Sequence, residues 1–308
     1  MGKGHGFGKV IMFGEHFVVH GVPGIASATS LSTEAIVKKF KGPGLNVIDN
    51  RKGTEGYTQS KKEQQKESLE YTLKAMSIDL KKNPMEITLG GDLPVFSGIG
   101  ASAASAVAIA RAISDEFRMN LSDERINEIA YEAEKAYAGN PSGIDNTAAT
   151  YGGLIWFMRG APSKMERLKI KNPVEIVMGN SGVVADTKEV VAGVAERKQK
   201  NPQKYDKIFK DAEELVHKAR KSLERFDLKT VGELMNENQK LLQEIEVSGK
   251  ELDFLVKLAR DKGAWGAKLT GGGVGGCMVA LTPRKELQEK VASAMEKEGF
   301  KVLRMKIG

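Results

Sequence analysis

The stretch Gly98-Ile99-Gly100-Ala101-Ser102-Ala103-Ala104-Ser105 sets two glycines ahead of a pattern that runs without a breaker through Val107, Ile109 and Ile113 to Phe117. Alanine has the best helix propensity of all residues, so Ala101 to Phe117 is predicted as a helix entered through a glycine turn. The first turn of such a helix leaves backbone N–H groups unpaired and the positive end of its dipole facing outward, which suits an anion such as phosphate. A plain tight turn before a helix is the alternative reading of the same residues. A dinucleotide-binding fingerprint fits poorly, because the glycines lie well beyond the strand predicted at Met85–Leu89 and no acidic residue closes a second strand about twenty residues on. No G-x-x-x-x-G-K-[ST] run occurs, which excludes a Walker-type loop.

Glycine is concentrated elsewhere too. It makes up 34 of 308 residues, about 11% against a usual ~7%, while only 9 prolines accompany it, so the excess is not of the disordered Pro-Gly kind. Five of the six residues Gly271 to Gly276 are glycine, as are four of the first eight. A hairpin needs one or two; five imply repeated positive φ or a backbone that passes very close to something. The leader Gly2 to Gly6 has no assignable role at this level.

Three hundred and eight residues, 41% hydrophobic and 28% charged, describe a folded globular chain of about two domains. A single cysteine, Cys277, excludes an intrachain disulfide and suits a reducing compartment. No run approaches the ~18 apolar residues of a membrane span, and the first residues lack the apolar core of a signal peptide, so a cytoplasmic protein that does not enter a membrane is expected. The net charge of +7 raises nucleic-acid binding. Between Glu196 and Lys229, however, eleven basic residues alternate with seven acidic ones, the pattern of a solvated helical surface, and nucleic acid is not expected as a partner.

Strands are predicted at Lys9–Phe13, Ala35–Phe40, Met85–Leu89, Leu154–Met158, Val174–Met178, Cys277–Leu281 and Lys301–Lys306. Helices are predicted at Lys61–Met76, Ala101–Phe117, Ser122–Ala138, Thr187–Arg197, Pro202–Phe226, Thr230–Glu246, Glu251–Lys262 and Arg284–Glu298, with Ser122 as an N-cap. Asn140 and Pro141 read as the start of a further helix. The elements interleave without a βαβ rhythm, which favours α+β, and the domain boundary is placed near residue 180, giving 1–180 and 181–308.

Helical spacing puts Glu134 on the flank of the buried arc formed by Ile126, Ala130, Ala133 and Tyr137, where a carboxylate needs a partner: Lys, Arg or, near phosphates, Mg2+. Asp145 falls early in its helix, where the dipole favours its ionised form. His16 and His20 are four apart but lack the context of a zinc site. Gly14-Glu15-His16 follows a strand as a site-forming turn would.

Three segments, Lys9-Val-Ile-Met-Phe-Gly-Glu-His-Phe-Val-Val-His-Gly21, Pro94 to Ala104, and Lys268 to Cys277, resemble the signature motifs of the GHMP small-molecule kinases, in the right order. Gly139-Asn-Pro-Ser-Gly-Ile-Asp-Asn146 and Ala185-Asp-Thr-Lys188 strengthen the likeness. It implies an N-terminal domain like that of ribosomal protein S5, a ferredoxin-like C-terminal domain, a homodimer, and ATP-dependent phosphorylation of the 5-hydroxyl of mevalonate in isoprenoid biosynthesis. By position, Asp145 would be the general base and Lys9 the cation that holds it ionised, both touching the substrate. Ser102 and Glu134 would hold Mg2+, and Glu15, His16 and Thr187 would position mevalonate, with His16 donating to its carboxylate. Pro94, Ser97, Gly98, Ile99, Gly100, Ala101, Ser102, Ala103 and Ala104 would form the nucleotide loop, supported by Gly271–Gly276 from the other domain. Ala101, Phe96 and Val274 depart from the usual motif residues. A related kinase acting on another hydroxy acid, sugar or hydroxyl is the nearest alternative.

Overall fold

A computed structural model describes residues 1–53, 57–96 and 98–308. In chain order it has β1 (Gly2–Phe13), β2 (Gly24–Lys39), β3 (Leu45–Asp49), α1 (Tyr57–Ser60), α2 (Lys62–Ala75), β4 (Met85–Gly91), α3 (Ala101–Glu116) and α4 (Asp123–Ala138). Then follow α5 (Ile144–Tyr151), β5 (Leu154–Met158), β6 (Lys164–Leu168), β7 (Val174–Asn180), α6 (Thr187–Lys200), α7 (Pro202–Glu224) and α8 (Leu228–Glu244). The chain ends with α9 (Lys250–Asp261), β8 (Gly266–Thr270), β9 (Cys277–Leu281), α10 (Lys285–Lys297) and β10 (Lys301–Ile307). Among the described residues no helix is long and apolar enough to cross a membrane.

Contacts divide the chain into two compact units, Met1–Lys9 with Ser30–Gly152, and Val10–Thr29 with Gly153–Gly308. A single cut near residue 180 does not describe this division. Its physical reason is β7: this strand, expected at Val174–Met178 as the last of the first half, pairs antiparallel with both β9 and β10 and so belongs to the second unit.

In the first unit, residues 33–39 of β2 pair antiparallel with β4, which pairs in parallel with β3. Apolar residues of these strands, Ala35, Val37, Met85, Ile87 and Leu89, share one core with Leu73 of α2, the alanine face of α3, and Ile126, Ile129 and Ala133 of α4. Ser122 caps α4 by accepting the Arg125 N–H at 3.4 Å, as its position predicts.

The glycine leader is a strand, hidden from propensity rules because glycine disfavours strands. A Cβ at Gly2, Gly4 or Gly6 would overlap the carbonyl oxygens of Ala112, Ala108 and Ala104 respectively. The periods match: two residues of strand rise about 6.8 Å, and four residues of helix about 6 Å, so a glycine at every second strand residue meets an alanine at every fourth helix residue. β1 therefore lies directly on the backbone of α3, running toward the helix N-terminus.

In the second unit one antiparallel sheet runs β6–β5–β2 (residues 24–29)–β10–β7–β9–β8. Its last four strands, in the order fourth, first, third, second, with helices α6–α9 after the first and α10 before the last, have the split-βαβ arrangement of ferredoxin-like domains. Phe17, Tyr205, Leu242, Leu255, Leu269, Met278 and Val291 meet in its core.

Gly4→Ala is expected to cost about 1–3 kcal/mol of stability, since an added methyl must displace backbone rather than a side chain. Gly90→Ala, where nothing lies within 4 Å of the added carbon, should stay within about 0.5 kcal/mol. Chemical denaturation midpoints of the two variants check this contrast.

Candidate active site

In the first unit the turn before α3 is built as its glycines require. Gly98 and Gly100 have φ of +95° and +71°, and α3 begins at Ala101 without a side-chain cap. A side chain at Gly100 would also stand 2.6 Å from Lys9 Cγ. Lys9 arrives at this turn along β1: its N–H donates to Ile99 O at 2.9 Å, and its side chain is buried under the loop. The buried ammonium finds Asp145, whose Oδ1 lies 3.1 Å from Lys9 Nζ.

Asp145 sits in the first turn of α5 and keeps a third of its side chain exposed. This helix starts at Ile144 after Gly143, which has φ +93°, and not at Asn140–Pro141. A left-handed residue ends the preceding segment, so Pro141 stays outside the helix. Asn146, one residue on, donates to Asn127 O and Oδ1 at 3.2 and 2.7 Å and so fixes α5 on α4.

From α4, Glu134 enters the same cluster. It is buried, as its place on the flank of the apolar arc predicts, and its Oε1 has no hydrogen-bond partner among the described residues. Burial, reinforced by the Asp145 charge, pushes its pKa up to about 8, against a hydrogen bond with Ser102 and the charge of Lys9. Ser102 lies in the first turn of α3. Lys9, Asp145, Ser102 and Glu134 are thus brought together within one unit.

The other loop residues differ among themselves. Ile99, Ala103 and Ala104 are buried, and the Ala104 N–H already donates to Gly100 O at 2.9 Å. Ala104 therefore serves packing against Gly6 and has no N–H left for a nucleotide. The N–H groups of Ala101, Ser102 and Ala103 precede the first helical hydrogen bond, so the helix itself leaves them without an acceptor. Pro94 is half-buried on the approach to the loop, and Phe96 is buried. Ser97 lies outside the described residues. Arg51, without a sequence signal, secures the helix start: it donates to Ser105 Oγ and is paired with Asp49.

The second unit holds Glu15, His16, Thr187 and the glycine run. Gly271, Gly273 and Gly276 have positive φ, as does Val274 at +59°. Side chains at Gly273 and Gly275 would overlap Val247 O and Val183 O, and one at Gly272 would stand 2.7 Å from Thr187 Oγ1. Both reasons for so many glycines, left-handed backbone and close approach, are present. Gly272 O lies 3.0 Å from His16 Nε2.

Glu15 and His16 both have polar partners within the second unit. Lys268 Nζ and Asn238 Nδ2 each bond one oxygen of Glu15, and its side chain is fully buried. His16, pushed down to about 4 by burial despite the Gly272 bond, is neutral near pH 7. A carbonyl can only accept, so Nε2 carries the proton and Nδ1, which has no partner among the described residues, is an acceptor. In this tautomer it can accept a hydrogen bond from a hydroxyl.

Comparison with known proteins shows the family of the chain. The GHMP kinase N-terminal domain model matches residues 66–153, and the GHMP kinase C-terminal model matches residues 219–301. The chain belongs to the GHMP kinases, a family of ATP-dependent kinases. Within it the relatives are mevalonate kinases: that of Pyrococcus furiosus is 38% identical over 94% of this chain and 91% of its own, and that of Thermococcus sibiricus 34% over 94% and 91%. The crystal structure of L. major mevalonate kinase in complex with R-mevalonate superposes with a TM-score of 0.93 at 37% identity, covering 100% of this chain and 96% of that one.

Because its pKa falls from 6.5 in the unfolded chain to about 4, neutral His16 contributes stability that is full above pH 6.5 and lost as pH falls toward 4. That loss should reach about 3 kcal/mol at most. Following the His16 ring proton by NMR from pH 7 to 4 should show no titration above about pH 5.

Proposed function

We propose that this protein transfers the terminal phosphoryl group of ATP to the 5-hydroxyl of mevalonate. The observation that carries the reading is the buried Lys9 ammonium 3.1 Å from Asp145, beside an uncapped helix start, in a chain whose near-full-length relatives are mevalonate kinases. Asp145 is the one carboxylate of the cluster that keeps an exposed side, and it accepts the proton of the attacking hydroxyl. Lys9 adds positive charge beside that oxygen as it becomes an alkoxide. The loop from Gly98 and the free N–H groups of Ala101, Ser102 and Ala103 receive the phosphates. Phosphoryl transfer of this kind depends on positioning and charge neutralisation more than on covalent participation by the protein.

Glu134 and Ser102 fit Mg2+. A buried carboxylate oxygen without a partner, next to a hydroxyl and at the phosphate end of the loop, is the donor set a hard cation requires. When bound there, Mg2+ neutralises charge on the phosphates. For mevalonate, the Nδ1 of His16 accepts from a hydroxyl, and Thr187, exposed beside Gly272, offers a second hydroxyl contact. The homodimer expected from the family likeness belongs to the same reading, and sedimentation equilibrium would report it as twice the 33.5 kDa chain. A cytoplasmic location belongs with it, since ATP is the phosphoryl donor.

Incubation with mevalonate and Mg·ATP, followed by phosphorus NMR, should give a single 5-phosphorylated product. Asp145→Asn should lower kcat by about 10²–10⁴ with little change in stability. A product phosphorylated elsewhere, or turnover retained in Asp145→Asn, would remove the assignment.

A further inference from the structure

The turn carrying Glu15 and His16 is held by groups that no step above uses. Lys268, on β8, is a lysine with no exposed surface. Its ammonium donates to Glu15, to Leu269 O at 2.7 Å and to Ile11 O at 3.5 Å. The other Glu15 oxygen accepts from Asn238 Nδ2 at 3.1 Å, and Asn238, on α8, is equally buried. Two residues along β8, Thr270 Oγ1 accepts the Ile11 N–H and donates to Ile11 O, both at 3.0 Å. The end of β1 and the turn after it are therefore clamped to β8 and α8, and the next residue, His16, reaches Gly272 just past the end of β8.

Stability alone does not account for such a pair. Two charges taken out of water gain little over apolar residues of the same volume, whereas removing one partner leaves the other uncompensated. What the pair supplies is geometry and charge balance. The carboxylate fixes the turn from two directions, and the ammonium cancels a negative charge beside groups that are to receive an anionic substrate.

Resting on the mevalonate kinase reading, we propose that Lys268 is a positioning residue for substrate binding: with Asn238 it locks and neutralises Glu15, so that His16 meets the substrate from a fixed and uncharged turn. Neither Lys268 nor Glu15 touches the substrate.

Steady-state kinetics at saturating Mg·ATP on Lys268→Met, Glu15→Gln/Lys268→Met and Asn238→Leu test this. Lys268→Met should raise the KM for mevalonate about tenfold while kcat changes by less than about threefold, the signature of lost binding and not of lost chemistry. The double variant, which removes both charges and keeps an acceptor for Asn238, should return KM to within about threefold of the unmodified enzyme. An unchanged KM in folded Lys268→Met, a fall in kcat without a rise in KM, or a double variant no better than the single one would each overturn the proposal. If Lys268→Met does not fold, Asn238→Leu carries the test, since it leaves the ion pair in place; there a KM that does not rise is the overturning result.

The nitrogen spectrum of the His16 ring in the ligand-free protein separates failure of this proposal from failure of the kinase reading. The unmodified protein should show one Nε2–H tautomer, Lys268→Met should lose it, and the double variant should regain it, whatever the substrate proves to be. A ring signal indifferent to Lys268 overturns the positioning role, whereas absence of phosphomevalonate from the unmodified enzyme overturns only the activity.

Discussion

β1 lies on α3 so closely that nothing larger than hydrogen fits at Gly2, Gly4 and Gly6, and the arrangement of the first unit depends on that approach. The strand descends the helix in matched steps, glycine over alanine, until it meets the turn in which the helix begins. There Lys9 donates its N–H to Ile99 O and lays its side chain against Gly100, a residue that can bear neither a Cβ nor a negative φ at that place. The position of the ammonium follows from backbone contact at Gly2, Gly4 and Gly6. A buried cation so placed needs an anion, and Asp145 supplies it.

Two carboxylates in one cluster are separated by their surroundings. Asp145 stands at a helix start, paired with Lys9 and partly open to solvent. Glu134 is enclosed, its charge disfavoured by burial and by Asp145, and one of its oxygens has no partner among the described residues. The first environment suits proton acceptance from an alcohol, and the second suits a divalent cation. Neighbouring groups divide the labour between chemically identical side chains. The second unit makes a comparable distinction: Glu15 is bonded to Lys268 and Asn238, while His16 keeps a buried acceptor nitrogen with no partner among the described residues.

Much of the candidate site was legible in the residues. Gly98 and Gly100 announced a turn into a helix because no other residue tolerates those angles at so little cost. Glu134 was placed at the edge of the core by helical spacing alone, and Ser122 was recognised as a cap. The glycine leader was opaque for the opposite reason: glycine carries no pattern, and its purpose appears only when the helix backbone beside it is known. Strand β7 was found, but its pairing with β9 and β10 was not legible, because a strand's partners are not written in its own sequence. Lys268 was read only as the start of a motif segment and Asn238 gave no signal, since a lysine in a strand and an asparagine in a helix are ordinarily exposed.

By itself, then, the sequence determined local backbone: where helices start, where φ turns positive, which faces are apolar, and which motif residues place the chain among the kinases. These depend on neighbours a few positions apart. Only the tertiary structure decided which polar groups are consumed and which remain available. Glu15 and His16 are adjacent in a single motif, yet one is paired with a lysine more than two hundred and fifty residues away and the other keeps a nitrogen with no partner among the described residues. Desolvation and hydrogen-bond saturation are properties of what surrounds a group in space, and no local pattern encodes them.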